Sequence, residues 1–449
     1  MQAEQMVIRY GVRYANAMCA ASLRRSDRHF LFLQGPHGPF FSALARQLRR
    51  AGARTSRMGF NSADESFWGG ASYHAFRDPP DAFAEALAAR IASDNVTDIV
   101  CYGADRPVHA TALEVARTTG LTPHVFEEGY LRPYWVTYER GGANAASRAA
   151  MISLTDMSQA LATSLPALHE APDRWGDMRA HMFWGAAYHA RLLAGNRDYP
   201  AFQPHRLPDY WAEFRLHLAK LLMTPGRSVV RGASTLRVRH GGFPYHLVLL
   251  QLAHDANFLN HGPFETQAAF LETVFRGFAD GAPRHHHLVL KAHPLEDGRE
   301  PLRPLIRRLS REFDLDGRTH FLTGGKLARL LDTARSAVTV NSTSAEQALW
   351  RSLPLRAFGD AVYDRPELVS RQPIAQFFAS PSPPNREAYL VYRAFLLATS
   401  QIPGGFYGTL SRRKLLRQMP DMMLEKTDMY DRLLTPKVEA DKQHIRLVV

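Results

Sequence analysis

The chain has 449 residues, 45% hydrophobic and 22% charged, the composition of a soluble globular protein long enough for two cores rather than one. Lys+Arg (55) exceeds Asp+Glu (43) for a formal net charge of +12; such a balance suits nucleic acid, anionic lipid or a phosphorylated substrate, and the lack of a zinc finger, an RNA-recognition signature or an aromatic–basic strand argues against nucleic acid. Cys19 and Cys101 make no disulfide framework or zinc pattern, no apolar run reaches the roughly eighteen residues of a membrane span, and the first thirty residues lack a signal-peptide core, so the expected location is the cytoplasm.

His29–Gln34 (HFLFLQ) reads as a short buried strand, followed by a Gly/Pro turn, Gly35–Phe40. Phe40, Phe41, Leu44 and Leu48 recur at helical spacing, so Phe40–Arg50 is expected to be a helix closed by Gly52. Thr55–Phe60 is the next strand, Asp81–Ala92 a helix, Asp98–Tyr102 a strand, Val108–Thr118 a helix and Pro123–Phe126 a strand. Strand alternating with helix predicts an α/β domain with a doubly wound parallel sheet. Glu127-Glu128-Gly129 follows the last of these strands. The stretch from there to Ser147, dense in aromatics, Gly and Asn, reads as a long irregular segment, which inside a domain is often functional.

From Met151 to about His240 the pattern is helical, with amphipathic helices expected at Tyr188–Leu193 and Tyr210–Met223. A basic segment, RSVVRGASTLRVRHGG, closes it. A second alternating region comes next: strands at Tyr245–Leu252, Leu288–Ala292, His320–Leu322, Ser336–Val340 and Leu355–Phe358, with helices at Thr266–Phe278, Pro301–Phe313 and Lys326–Thr333. The organisation is therefore 1–150, a first α/β domain; 151–240, a helical insertion and connection; 241–390, a second α/β domain; and 391–449, a tail that packs back on the first domain. Arginines cluster at Arg46, Arg49, Arg50, at Arg303, Arg307, Arg308, Arg311 and at Arg412, Arg413, Lys414, Arg417. These are either solvated helix faces or a surface for anionic membrane.

In an open α/β sheet, ligands bind past the carboxyl ends of the strands. Lys291 and His293 of LVLKAHP stand there, a point charge and a ring donor suited to a phosphate. Ser342, Thr343 and Ser344 stand there too, at the start of the helix AEQALW, where hydroxyls and free N–H groups converge. Thr343 and Glu346 also have the spacing of a plain capping box. Glu127 and Glu128, on a loop after a strand, are candidates for general acid/base work. Asp255, just past the apolar strand Tyr245–Leu252, is either a nucleophile or an N-cap. His285–His287 precede a strand on which neighbours diverge, so no metal site is expected, and no DxD-like pair suggests a metal-bound nucleotide sugar.

The blocks FLQGPHGPFF, MGFNSADESFW, VFEEGYLRPYWVTYERGGANAAS, KAHP and NSTSAEQAL resemble the capsular polysaccharide biosynthesis and export proteins of the KpsS/LipB type. The resemblance spans about residues 29–365, with EEGYLRP…ERGG the most specific block. It implies a GT-B fold, two Rossmann-like domains facing a central cleft, the first for the acceptor and the second for the donor. It implies a β-Kdo glycosyltransferase that takes CMP-Kdo and starts an oligo-Kdo linker on an anionic glycerophospholipid, (lyso)phosphatidylglycerol, while peripheral on the inner membrane. A second Kdo transferase and the capsule export machinery are the further partners implied; no cofactor is expected. The EEG and HP blocks are also similar to the (D/E)(D/E)G and HP motifs of CMP-sialic-acid transferases. By that similarity Glu127 or Glu128 is the acid/base. Lys291, His293, Ser342, Thr343, Ser344 and Glu346 form the donor-phosphate region. Retention of configuration makes Asp255 the nucleophile. Two other readings stay open: a GT-B enzyme for UDP- or GDP-sugars, and a non-enzymatic partner in capsule assembly or export.

Overall fold

A computed structural model describes residues 27–435 except 71, 132–134, 165–177, 203–234, 239, 254, 295 and 297–299. Among the described residues, twelve strands form two sheets. In chain order they are β1 (His29–Phe32), β2 (Arg54–Gly59), β3 (Tyr73–Ala75), β4 (Asp98–Tyr102), β5 (Thr122–Glu128), β6 (Trp135–Arg140), β7 (Tyr245–Leu249), β8 (His287–Lys291), β9 (Thr319–Leu322), β10 (Ser336–Thr339), β11 (Leu355–Ala357) and β12 (Gln401–Pro403). The first sheet runs β3-β2-β1-β4-β5-β6-β12 and the second β11-β10-β7-β8-β9. All pairings are parallel except β5–β6 and β6–β12. Each sheet thus carries the doubly wound order, with strand order reversing between β1 and β4 in one and between β7 and β10 in the other.

The apolar positions explain the layers. In the first sheet Phe30, Phe32, Val100, Tyr102 and Phe126 pack on Phe40, Phe41, Leu44 and Leu48 of the helix Phe40–Arg50. The opposite face, with Leu31, Ile99 and Cys101, packs on Leu87, Ile91, Ala112 and Ala116 of the helices Phe83–Asp94 and Pro107–Thr119. In the second sheet Val248, Leu288 and Leu290 pack on Phe270, Val274 and Phe278 of the helix Gln267–Gly281. The other face belongs to a cluster that reaches both domains, joining Leu247 and Val289 to Tyr130, Leu131 and Trp135 through Tyr389, Tyr392 and Phe395 of the helix Arg386–Thr399. Beyond that helix the chain returns to the first sheet, where β12 pairs antiparallel with β6.

Two expectations change. The stretch after Gly129 is not irregular throughout: Trp135–Arg140 is β6, with Glu127 opposite Thr137 and Glu128 opposite Val136. Its alternation W-V-T-Y-E-R of β-branched and aromatic residues is a strand pattern in its own right. Glu127 and Glu128 therefore end a strand rather than sit on a loop, and their side chains leave opposite faces of the sheet. In the helical insertion, Met178–Gly195 covers the Tyr188–Leu193 expectation and lies on the first domain through Tyr188 and Leu192 against Ala63. Tyr210–Met223 and most of the basic segment after it lie outside the described residues.

Candidate active site

The second sheet presents three of the expected blocks at the carboxyl ends of adjacent strands β10, β7 and β8. After β7, Gln251 and Asn341 clasp the switch point: Gln251 Nε2 donates to Asn341 Oδ1 at 2.8 Å and Asn341 N–H donates to Gln251 Oε1 at 3.0 Å. The side chain Nδ2 of Asn341 then donates to Asn257 O at 2.7 Å. This clasp fixes the two turns that carry Asp255 and Ser342 relative to each other. Asp255 caps the helix Ala256–His261, its Oδ1 accepting from the Asn257 N–H at 3.0 Å. Ser342 caps the turn Thr343–Ala345, and its hydroxyl lies 2.7 Å from that of Ser344. After β8, Lys291 is buried, with Nζ donating to Ala292 O at 2.9 Å, and His293 follows it on the same edge.

Glu346 stands apart from this group. Its side chain is 3% exposed, turned under the helix Arg386–Thr399, and Oε1 accepts from Tyr392 at 2.6 Å. Burial pushes its carboxyl up to about 7 against the pull of the tyrosine hydrogen bond. Glu346 thus belongs to the packing between that helix and the second sheet, not to the hydroxyl-rich turn beside it.

On the first domain, the carboxyl ends of β4 and β5 meet. Glu128 faces the helix Phe40–Arg50 side, where Oε1 accepts from the Tyr102 hydroxyl at 3.1 Å; the Tyr407 hydroxyl lies 3.3 Å from that of Tyr102. Burial, then the Glu128 charge, raises both tyrosines above their ordinary value, so both stay protonated donors. Glu127 faces the other side. Its Oε1 accepts from the Glu128 N–H at 3.1 Å, and its Oε2 lies where a side chain on Gly103 would be crowded at 3.1 Å. Gly103, at φ +79°, leads into Ala104-Asp105, so Glu127 shares its side of the sheet with that turn.

Asp105 joins the two domains. Its Oδ1 pairs with His261 Nε2 at 2.7 Å, and Asn144 Nδ2 donates to its Oδ2 at 3.4 Å. His261 ends the helix that Asp255 caps, so the bridge runs from the turn after β4 to the helix after β7. Sequence reading missed both residues. The rule that points to Lys291 and His293 past β8 points equally to Asp105 and Arg106 past β4, so Asp105 was within its reach. Tyr407 carried no local signal, being 305 positions from Tyr102.

The most specific block of the sequence is largely scaffold. Glu139 is 2% exposed and accepts from Tyr130, Ser147, Tyr430 and the Arg148 N–H. These bonds hold the Asn144 turn, whose N–H donates to Tyr130 Oη at 2.6 Å, next to Asp105. Gly129 is required for close approach: a Cβ there would stand 2.1 Å from Trp135 O. Of the histidine run, His286 pairs with His246 and His287 with His320, two separate contacts at the opposite end of the sheet. Burial pushes His246 down to about 3 and His320 to about 4, and among the described residues no group of three or more His, Cys, Asp or Glu could hold a metal.

Two Rossmann-like domains, bridged between their carboxyl edges and carrying a helical insertion, make this a GT-B-like fold. A family model described as "Capsule polysaccharide biosynthesis protein" matches residues 97–407. The chain is 30% identical over 396 residues to the capsule polysaccharide export protein KpsS of Escherichia coli, covering 86% of this chain and 99% of that protein. It is 31% identical over 397 residues to the capsule polysaccharide modification protein LipB of Neisseria meningitidis serogroup B, covering 86% and 93%. The chain belongs to the capsule polysaccharide biosynthesis protein family. Among solved structures, the KpsC beta Kdo 2,7 transferase of Thermosulfurimonas dismutans aligns over 88% of this chain and 100% of its own, at 11% identity and TM-score 0.43. Anabaena Alr3699/HepE in complex with UDP and glucose aligns over 88% and 99%, at 12% identity and TM-score 0.33. At such identity and score these two speak to neither activity nor ligand.

Proposed function

We propose that the chain is a retaining β-Kdo glycosyltransferase, moving Kdo from CMP-Kdo to a (lyso)phosphatidylglycerol hydroxyl at the inner-membrane face and so starting the oligo-Kdo linker of capsular polysaccharide. The observation that carries the reading is the pairing of two half-sites: Glu127 and Glu128 on the edge of one sheet, Asp255, His293 and Ser342–Ser344 on the edge of the other, joined by Asp105–His261 at 2.7 Å. Family membership supports the capsule setting. In the second domain, Lys291, His293 and the hydroxyls of Ser342, Thr343 and Ser344 hold the single phosphate of the donor, which needs no bridging metal.

The reaction is a double displacement. A carboxylate oxygen of Asp255 attacks the anomeric carbon of Kdo, and the bond to the CMP phosphate oxygen breaks with its electron pair leaving on CMP. The acceptor hydroxyl then attacks the same carbon, a glutamate takes the hydroxyl proton, and the Asp255–Kdo bond breaks. Glu127 is the better base of the two, since it lies on the side of the sheet that bears the Asp105 bridge. Glu128, hydrogen-bonded to Tyr102, orients the acceptor. A second Kdo transferase would extend the product, and the export machinery would take the finished chain.

The test is turnover. Purified protein, CMP-Kdo generated in situ and a fluorescent lyso-phosphatidylglycerol should yield a product heavier by one Kdo. No product, with UDP or GDP rather than CMP competing for the protein, would replace this reading with another sugar nucleotide. CMP-Kdo binding with no turnover on any lipid acceptor would leave a non-enzymatic assembly or export partner.

A further inference from the structure

The outer face of the first domain carries an open basin of about 770 Å³ between the helix Phe40–Arg50 and the helices Thr409–Leu416 and Met419–Leu424. Leu44, Leu48, Leu415, Met419 and Met423 hold these helices together underneath. Arg46, Arg50, Arg412, Arg413 and Arg417 line the basin above them, with Asp421 the one acidic lining residue. Among the described residues none of the five arginines has an ion-pair partner. Arg412 is held below its ordinary value by burial and by the Arg46 charge. Folding by itself does not favour gathering five guanidinium groups around one carboxylate; an anion does.

An apolar side chain flanks the same face. Leu410, on the arginine-bearing helix Thr409–Leu416 and one turn before Arg413, is 78% exposed. Arginines beside an exposed leucine form the pattern of a surface that lies in a lipid interface; a nucleic acid backbone would use the arginines alone. The second basic face, on the helix Leu302–Glu312, has no exposed large apolar side chain, and its Arg303 lies over Phe321.

We propose that this face docks on an anionic phospholipid bilayer, with lipid phosphates in the arginine basin and Leu410 in the headgroup–acyl boundary. The docked face is continuous with the acceptor half of the candidate site: Arg412 Nη1 donates to Tyr407 O at 2.9 Å, and the Tyr407 and Tyr102 hydroxyls lead to Glu128. This deepens the membrane part of the transferase reading and names the surface that performs it.

The test is co-flotation of the full chain with vesicles of phosphatidylcholine alone or with about one-third phosphatidylglycerol. Binding is expected only to the anionic vesicles and should fall with salt. Each arginine at an anionic surface contributes about fivefold, so reversing two in Arg413→Glu/Arg417→Glu should weaken binding by roughly 25-fold or more. Leu410→Ser, which removes the apolar contact without changing the charge, should weaken it as well, by a route independent of the arginines. Arg307→Glu/Arg308→Glu makes the same change in net charge on the other basic face and should leave binding intact. Melting temperatures show whether each variant is folded. Equal binding to neutral vesicles, equal loss in the Arg307/Arg308 variant, or tighter binding to duplex DNA lost in the Arg413/Arg417 variant would each overturn the proposal. No sugar donor is present, so a failure here is distinct from a failure to form product.

Discussion

The two adjacent glutamates can be separated by Glu127→Gln and Glu128→Gln. β5 turns them to opposite faces, so the pair cannot share one role. Glutamine preserves the local bonds in each case: its Oε1 still accepts the N–H of residue 128 at position 127, and the Tyr102 hydroxyl at position 128. The fold should be unchanged, and Glu127→Gln removes only the ability to take a proton. Loss of a general base costs about 10²–10⁴-fold in kcat, or roughly 3–5 kcal/mol in the barrier. Glu128→Gln should cost less than about tenfold and act on acceptor KM. Kdo transfer followed by mass spectrometry, with CMP binding measured alongside, reads both. A dead Glu128→Gln and an active Glu127→Gln would reverse the assignment. Full activity in both would remove acid/base catalysis from this strand. Gly103→Ala is a further probe of the same face, because its Cβ would press on Glu127 Oε2 at 3.1 Å in a backbone of φ +79° that disfavours side chains.

Three other outcomes rest on the packing. Gly129→Ala sets a Cβ 2.1 Å from Trp135 O, a clash with backbone, and should cost about 2–3 kcal/mol in denaturant unfolding; an unchanged midpoint would mean β5 and β6 can part there. Buried Glu346 titrates near 7 when folded against an ordinary 4.5, so the stability it contributes is full below pH 4.5 and lost as pH rises through 7, a change of about 3 kcal/mol. Thermal melts from pH 5 to 8 should therefore fall less steeply for Glu346→Gln than for the native chain, and parallel curves would refute the burial argument. A double-mutant cycle of Asp105→Ala and His261→Ala should give a coupling of about 1–2 kcal/mol across the domains, since the pair lies at 2.7 Å; additive losses would show that the bridge does not hold them together.

Much of the chain is legible locally. Apolar runs such as Leu288–Leu290 and Ala337–Val338 announce buried parallel strands, and the residues just past the end of such a strand face ligand in this architecture. That logic sufficed to bring Lys291, His293 and Ser342–Ser344 onto one sheet edge. Local chemistry also made Glu346 look like part of the same turn, because spacing within a helix says nothing about which side is later covered. The helix Arg386–Thr399 covers it, and Tyr392 converts it to a core residue. The face of each glutamate depended likewise on β6 pairing with β5, and the three-residue β12 exists only because β6 offers it an edge. Contacts such as Tyr102–Tyr407 and Asp105–His261 join residues 305 and 156 positions apart. Periodicity and turn chemistry act over a few residues, so the sequence by itself determined the strands, helices and strand-end motifs. Which of those motifs meet was decided by the burial and hydrogen bonding that only the assembled domains supply.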